Sequence, residues 1–193
     1  PPPNLVMECM GQLENFLHEE RPELPLLIRA GLAHVQFETI HPFLDGNGRL
    51  GRLLITFLLC AGGALREPIL YLSLFFKQHR SEYYRLLNLV RREGDWEAWI
   101  AFFLDGVVKT ADGAVETAKR LLTLFDDDRG KIQPAGRKAS SALRVHDALK
   151  ARPVHRLQDI ATSTGLSFPT ASAAMKLLLD LRIVREITGK QRN

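Results

Sequence analysis

Residues 26–61 constrain this chain more than any other stretch. Two apolar helical patterns, "LLIRAGLAHVQFETI" and "RLGRLLITFLLCAGG", flank a junction of a different kind, and residues 41–52 read "HPFLDGNGRLGR". Pro42 disfavours the α region for His41, so the first helix ends there. Asp45, Gly46, Asn47 and Gly48 favour a turn, and the second helix follows at once. Two helices must therefore meet across one tight, charged corner. The second is apolar almost all round, which predicts a central buried helix. The "AGG" after it supplies a C-cap.

The remaining pattern is also helical. "NLVMECMGQLENFLHEE" sets Leu5, Met10, Leu13, Phe16 and Leu17 at helical spacing, and "RPELP" interrupts it. "LSLFFKQH" and "SEYYRLLNLVRREG" predict two more helices, the latter capped by Ser81. "DWEAWIAFFLDGVVKTADGAVETAKRLLTLFDDD" is a long helical pattern with Asp95 as its N-cap. "RGKIQPAGRKASS" is aperiodic, so a linker is expected over 129–139, between a core of residues 1–128 and a second domain of residues 140–193. In that domain "LQDIATSTGLSFPTASAAMKLLLDLRIV" reads as helix-turn-helix, with Gly165 in the turn and a new helix starting at Ser167–Pro169. The closing "IVREITGKQRN" reads as one strand and the tip of an incomplete wing. The opening "PPPN" lacks Met, and both ends are expected to be cut.

Charge divides the same way. Residues 1–130 carry 14 Lys and Arg against 18 Asp and Glu, and residues 131–193 carry 12 against 4. A basic second domain is a nucleic-acid candidate or a solvated basic surface. Its exposed recognition-helix positions, Thr170, Ser172, Ala173 and Lys176, are poor in Arg and Asn, so protein–protein contact is the alternative. No apolar run approaches the roughly 20 residues that span a bilayer, and no signal peptide is visible. Cys9 and Cys60 fall inside apolar helical patterns and read as buried small hydrophobes, which suits a cytoplasmic protein.

The junction carries the chemistry. Gly46, Asn47 and Gly48 precede a helix whose first N–H groups lack internal partners, which makes an anion cradle. Arg49 and Arg52 share one face of the first turn and suit a polyphosphate. Asp45 is placed to hold Mg²⁺ beside phosphate oxygens. His41 is the residue type that accepts a proton near neutral pH. Phe43 is expected to anchor the loop in the core. A zinc site on His41 and Asp45 lacks a third ligand nearby, since His34 sits in the helix that Pro42 has already ended. The assembled reading is a nucleoside triphosphate on the cradle and transfer of a phosphorus-containing group, driven by positioning and charge neutralisation.

The string matches the Fic family signature His-Pro-Phe-x-Asp-Gly-Asn-Gly-Arg-x-x-Arg at every fixed position. Its flanks, "HVQFETIHPF" and "SEYYRLLNLVRREGDWEAWIAFFLDGV", resemble bacterial Fic proteins that end in a winged helix. The resemblance implies an all-α Fic-type helical bundle followed by a small winged helix-turn-helix domain. It also implies a protein adenylyltransferase, moving AMP from ATP to a Ser, Thr or Tyr hydroxyl of a target protein with Mg²⁺. His41 would then be the base and Asp45 the metal ligand. The run Gly46, Asn47, Gly48, Arg49, Leu50, Gly51 and Arg52 would take the phosphates, and Tyr83 and Tyr84 would line the nucleoside pocket. Arg91 stands where relatives often hold Asn. An inhibitory helix that offers a Glu to Arg52, and a target-docking hairpin, would precede Pro1. Three alternatives stand beside this: phosphate transfer as in Doc-type relatives, removal of AMP from targets, and a DNA-binding regulator with a nucleotide-sensing Fic-like domain. A target protein and DNA are the expected partners, no membrane is expected, and a homodimer is left open.

Overall fold

The computed structural model describes residues 1–19 and 23–188. Its α-helices are α1 (Val6–Leu17), α2 (Leu26–Ile40), α3 (Asn47–Ala61), α4 (Leu72–Gln78), α5 (Arg80–Glu93), α6 (Trp96–Ile132), α7 (Ala139–Ala151), α8 (Leu157–Thr164) and α9 (Phe168–Asp180). Two compact units, Pro1–Glu116 and Thr117–Asn193, divide within α6. No helix among the described residues is long and apolar enough to cross a membrane.

In the first unit α2 is the element buried on most sides. Ala33, Phe37 and Ile40 pack with Leu13 of α1. Val35 joins Ile55 and Leu59 of α3, Leu86 and Leu87 of α5, and Trp99 and Phe103 of α6. A close crossing locks α6 onto α2: Trp99 Nε1 donates to the Gly31 carbonyl at 3.0 Å, and a Cβ on Gly31 would stand 3.0 Å from Ile100. The expected central helix, α3, instead buries a single stripe of Asn47, Gly51, Ile55 and Leu59. Leu54 and Leu58 flank that stripe half-buried, whereas Leu50, Leu53 and Phe57 face outward. An apolar sequence licenses burial, but only neighbours on several sides supply it. Cys9 and Cys60 are half-buried free thiols rather than fully buried ones.

Several boundaries follow local chemistry. His41 caps α2 in the left-handed conformation, just before Pro42. Gly62 caps α3. Asp95 Oδ1 accepts the Ala98 amide at 3.1 Å and so caps α6. Ser81 does not cap α5, which starts one residue earlier at Arg80 behind His79.

In the second unit Val145 of α7, Ile160 of α8 and Leu178 of α9 close a core with Ile132. The helix-turn-helix is formed. Gly165 ends α8 at φ +63°, and the Leu166 amide bonds back to the Ala161 carbonyl at 3.1 Å. Ser167 caps α9, with Pro169 in its first turn. Two expectations fail here. The linker expected over 129–139 is largely helical: α6 continues to Ile132, and a 3₁₀ stretch, Gln133–Lys138, broken at Gly136 (φ +60°, ψ −128°), leads into α7. Burial of Ile132 in the second core gives that stretch a packing reason its sequence pattern hides. The wing is absent among the described residues, which contain no strand. The Ile183 amide caps α9 through the Leu178 carbonyl at 2.9 Å instead of entering a ladder. The expected wing tip, residues 189–193, lies outside the described residues.

Candidate functional site

The site is built where α2 ends and α3 begins. His41 sits at φ +52° and ψ +59°, a conformation that costs a side-chain-bearing residue about 1–2 kcal/mol. Such strain, held by Pro42 on one side and by the 2.9 Å bond from the His41 amide to the Phe37 carbonyl on the other, is a mark of functional corners. It leaves the His41 side chain exposed at the mouth of the loop.

Gly46 is the N-cap of α3 at φ +86°, in the region glycine tolerates. Its carbonyl accepts from both Arg49 N and Leu50 N at 3.0 Å. The amides of Asn47 and Gly48 are then left in the first turn without an intrahelical acceptor, where the helix dipole favours an anion. Arg49 reaches Asp45 at 3.2 Å, with both side chains largely exposed. That pair is worth little in solvent and yields readily to a ligand. Asp45 is the loop's carboxylate and its side chain is 92% exposed. The described residues contain no group of three or more His, Cys, Asp or Glu placed to hold a metal ion. The hard-oxygen donor here is one carboxylate next to a phosphate cradle, which fits Mg²⁺ completed by phosphate and water oxygens.

The loop is tied down by a residue the sequence assigned otherwise. Phe43 was expected in the core and is 51% exposed. Asn47, buried at the start of α3, does the anchoring: the Phe43 amide donates to Asn47 Oδ1 at 2.9 Å, and Asn47 Nδ2 donates to the Phe43 carbonyl at 2.5 Å. Its side chain is therefore spent on the loop, and only its backbone amide is available to an anion. Leu50 and Gly51, expected in the phosphate-binding run, point elsewhere. Leu50 borders an apolar groove with Phe43 and Leu53. Gly51 faces α2, where a Cβ would fall 2.7 Å from Glu38 Oε1 and 3.2 Å from His34 Nδ1.

Beside the cradle opens a cavity of about 690 Å³. Arg49, Arg52, Leu53 and Thr56 of α3 form one wall, and Lys77, Arg80, Tyr83 and Tyr84 form the other. Among the described residues no carboxylate lines it. Both tyrosines line this cavity, in different ways. Tyr84 is half-exposed, with the Arg80 guanidinium 5.6 Å from its ring centre. Tyr83 is buried, and its hydroxyl pairs with His34 Nε2 at 2.9 Å. Burial pushes the Tyr83 hydroxyl up from its ordinary value, and the nearby Glu38 adds to that.

Behind the loop lies a polar cluster that the sequence reading missed. His34 is fully buried, and burial lowers its pKa to about 4, so it is neutral at pH 7. Glu38 is only 7% exposed. Burial raises its carboxyl above the usual range, while Arg52, His41 and Arg91 pull the other way. Arg91 clamps the end of α2 from α5, donating to the Glu38 carbonyl at 2.7 Å and to Thr39 Oγ1 at 3.3 Å. The spacing of His34 and Glu38, four apart on a helix that is otherwise apolar inside, was the available signal.

Residues 1–59 match the Fic/DOC family model. The chain is similar to the protein "Protein adenylyltransferase Fic" of Drosophila grimshawi and of Drosophila melanogaster. Each is 38% identical over 113 residues, 58% of this chain and 22% of the relative. The chain thus spans about a fifth of the length of these relatives. In structure it resembles a Fic family protein from Desulfovibrio desulfuricans G20, with a TM-score of 0.57 and 23% identity, covering 100% of this chain and 58% of that one. That likeness supports the all-helical fold.

Proposed function

From the match of residues 1–59 to the Fic/DOC family model, we propose that this chain transfers AMP from ATP to a hydroxyl of a target protein. The observation that carries the reading is the α3 N-terminus: two unpaired amides, Arg49 and Arg52 converge beside a cavity free of carboxylates. The relatives named protein adenylyltransferase agree with it.

In this mechanism the triphosphate lies over the Asn47 and Gly48 amides, with Arg49 released from Asp45 to the phosphates. Bound Mg²⁺, held by Asp45 and phosphate oxygens, would supply charge neutralisation of the leaving pyrophosphate. The exposed His41 imidazole takes the proton of the incoming hydroxyl. The acceptor oxygen bonds to the α-phosphorus, the bond from that phosphorus to the β-bridging oxygen breaks, and pyrophosphate leaves. The nucleoside end extends along Tyr84 and Arg80. A Cβ on Gly48 would sit 3.1 Å from Arg52 Nη1, so the bare glycine keeps Arg52 in place. We read the intact Gly46-Asn47-Gly48 run as favouring AMP transfer over phosphate transfer.

ATP labelled at the α-phosphate is expected to mark a target protein, and ATP labelled at the γ-phosphate is not. His41→Ala should lower labelling by at least 10²-fold while ATP still binds. Labelling from the γ-phosphate alone would identify a phosphotransferase and overturn the reading.

A second role is favoured by the formed helix-turn-helix of α8 and α9 together with its charge. Residues 117–193 carry 15 Lys and Arg against 7 Asp and Glu. Thr170, Ala173 and Lys176 stand exposed on α9. We read this unit as a DNA-contacting module.

A further inference from the structure

Glu38 is a buried carboxylate that the transfer mechanism does not use. Its Oε1 has no hydrogen-bond partner. It lies directly beneath the cradle, 3.6 Å from where a Gly48 Cβ would be and 2.7 Å from where a Gly51 Cβ would be. Arg52 Nη1 stands 3.1 Å from the same Gly48 Cβ position. The groups that face Glu38 are Arg52 from α3, Arg91 and Tyr83 from α5, and His34 and His41 from its own helix. His34 is neutral at pH 7 and Tyr83 carries no charge there.

Two arrangements of charge follow. Without ligand, the Arg52 cation is the nearest counter-charge that makes an ionised Glu38 tolerable in a desolvated place. When a polyphosphate settles on the Asn47 and Gly48 amides, Arg52 turns its field to the phosphates. Several negative charges then stand across one glycine from the carboxylate. A buried carboxylate that loses its counter-charge and gains an anionic neighbour is driven to its neutral form. We propose that Glu38 is a positioning residue of the phosphate site, holding Arg52 over the empty cradle and taking up a proton as the phosphates bind. Neutralisation removes the repulsion between carboxylate and ligand and leaves the Arg52 guanidinium free for the phosphates.

This inference rests on the phosphate reading of the cradle, though not on AMP transfer, so inorganic tripolyphosphate is the probe. Calorimetric titration of the whole chain at pH 7, in buffers of differing ionisation enthalpy, gives the protons exchanged on binding. The wild type is expected to take up more protons than Glu38→Gln, by a sizeable fraction of one. The variant should bind roughly tenfold tighter at pH 8, where the repelling charge is gone. Equal proton uptake in both proteins would overturn the proposal. A second measurement needs no variant. Infrared difference spectra of wild-type protein carrying isotope-labelled Glu should show a carboxylate band converted to a protonated carboxyl band on tripolyphosphate addition. An unmoved carboxylate band overturns the proposal and leaves AMP transfer standing. Failure of the wild type to bind tripolyphosphate overturns the cradle itself and this proposal with it.

Discussion

His34 shows how one buried residue sets a pH response. Its ring stacks between Phe76 and Trp99 at 5.8 and 5.7 Å, and its Nε2 pairs with the Tyr83 hydroxyl. Burial lowers its pKa from 6.5 to about 4. The native state therefore refuses a proton that the unfolded chain accepts, and stability falls as pH drops from 6.5 towards 4. The full loss attributable to this ring is about 3 kcal/mol. Glu38 works in the opposite sense: its raised carboxyl binds a proton in the native state before the unfolded chain does. The two contributions separate by variant. Urea unfolding of His34→Gln should lose the acid-side decline relative to wild type, in a window from pH 6.5 to 4.5. A decline as steep as that of the wild type would show that another group carries it.

At the scale of elements, the corner between α2 and α3 depends on one side chain rather than on apolar anchoring. Asn47 satisfies both backbone groups of Phe43. Asn47→Ala leaves that amide and carbonyl to water and is expected to cost about 2 kcal/mol. Hydrogen exchange at the Phe43 amide should accelerate at least tenfold, while amides in the middle of α3 keep their protection. An unchanged Phe43 amide would mean that Pro42 and the His41 turn hold the loop unaided. This corner also marks what was legible in the sequence. Pro42, Gly62, Asp95 and Ser167 declare helix ends through backbone chemistry of their own, and the structure places the ends there. Phe43, the buried rank of α3 and the 129–139 linker depended on what stands next to them in space. An apolar residue does not say whether a neighbour covers it. The site divides the same way. His41, Asp45, Gly46 and the two arginines lie in one contiguous string. His34 and Glu38 join them only because α2 folds back behind α3, and a sequence shows that as two polar residues in an apolar run.

The whole molecule is two cores with opposite charge. Residues 1–116 hold 11 Lys and Arg against 15 Asp and Glu, whereas the second unit is strongly basic. The acid-rich unit nonetheless gathers Arg49, Arg52, Lys77 and Arg80 around the cavity beside the α3 N-terminus, so its anion attraction is local. The second unit's attraction is spread over its surface. Binding of duplex DNA should therefore depend on salt as phosphate contacts do, with affinity falling steeply between 50 and 200 mM salt. It should persist when the cradle is saturated with tripolyphosphate. Leu178 is fully buried in the second core, which shares no buried residue with the first. Leu178→Ala should cost about 2–5 kcal/mol in that core, abolish the DNA complex and leave tripolyphosphate affinity within about twofold. Gel-shift titrations at several salt concentrations, paired with calorimetry of the same preparations, test this directly. A DNA complex that resists salt, or that survives Leu178→Ala with hydrogen-exchange protection lost across α7 to α9, would remove DNA from the second unit. The exposed face of α9 would then be left to a protein partner.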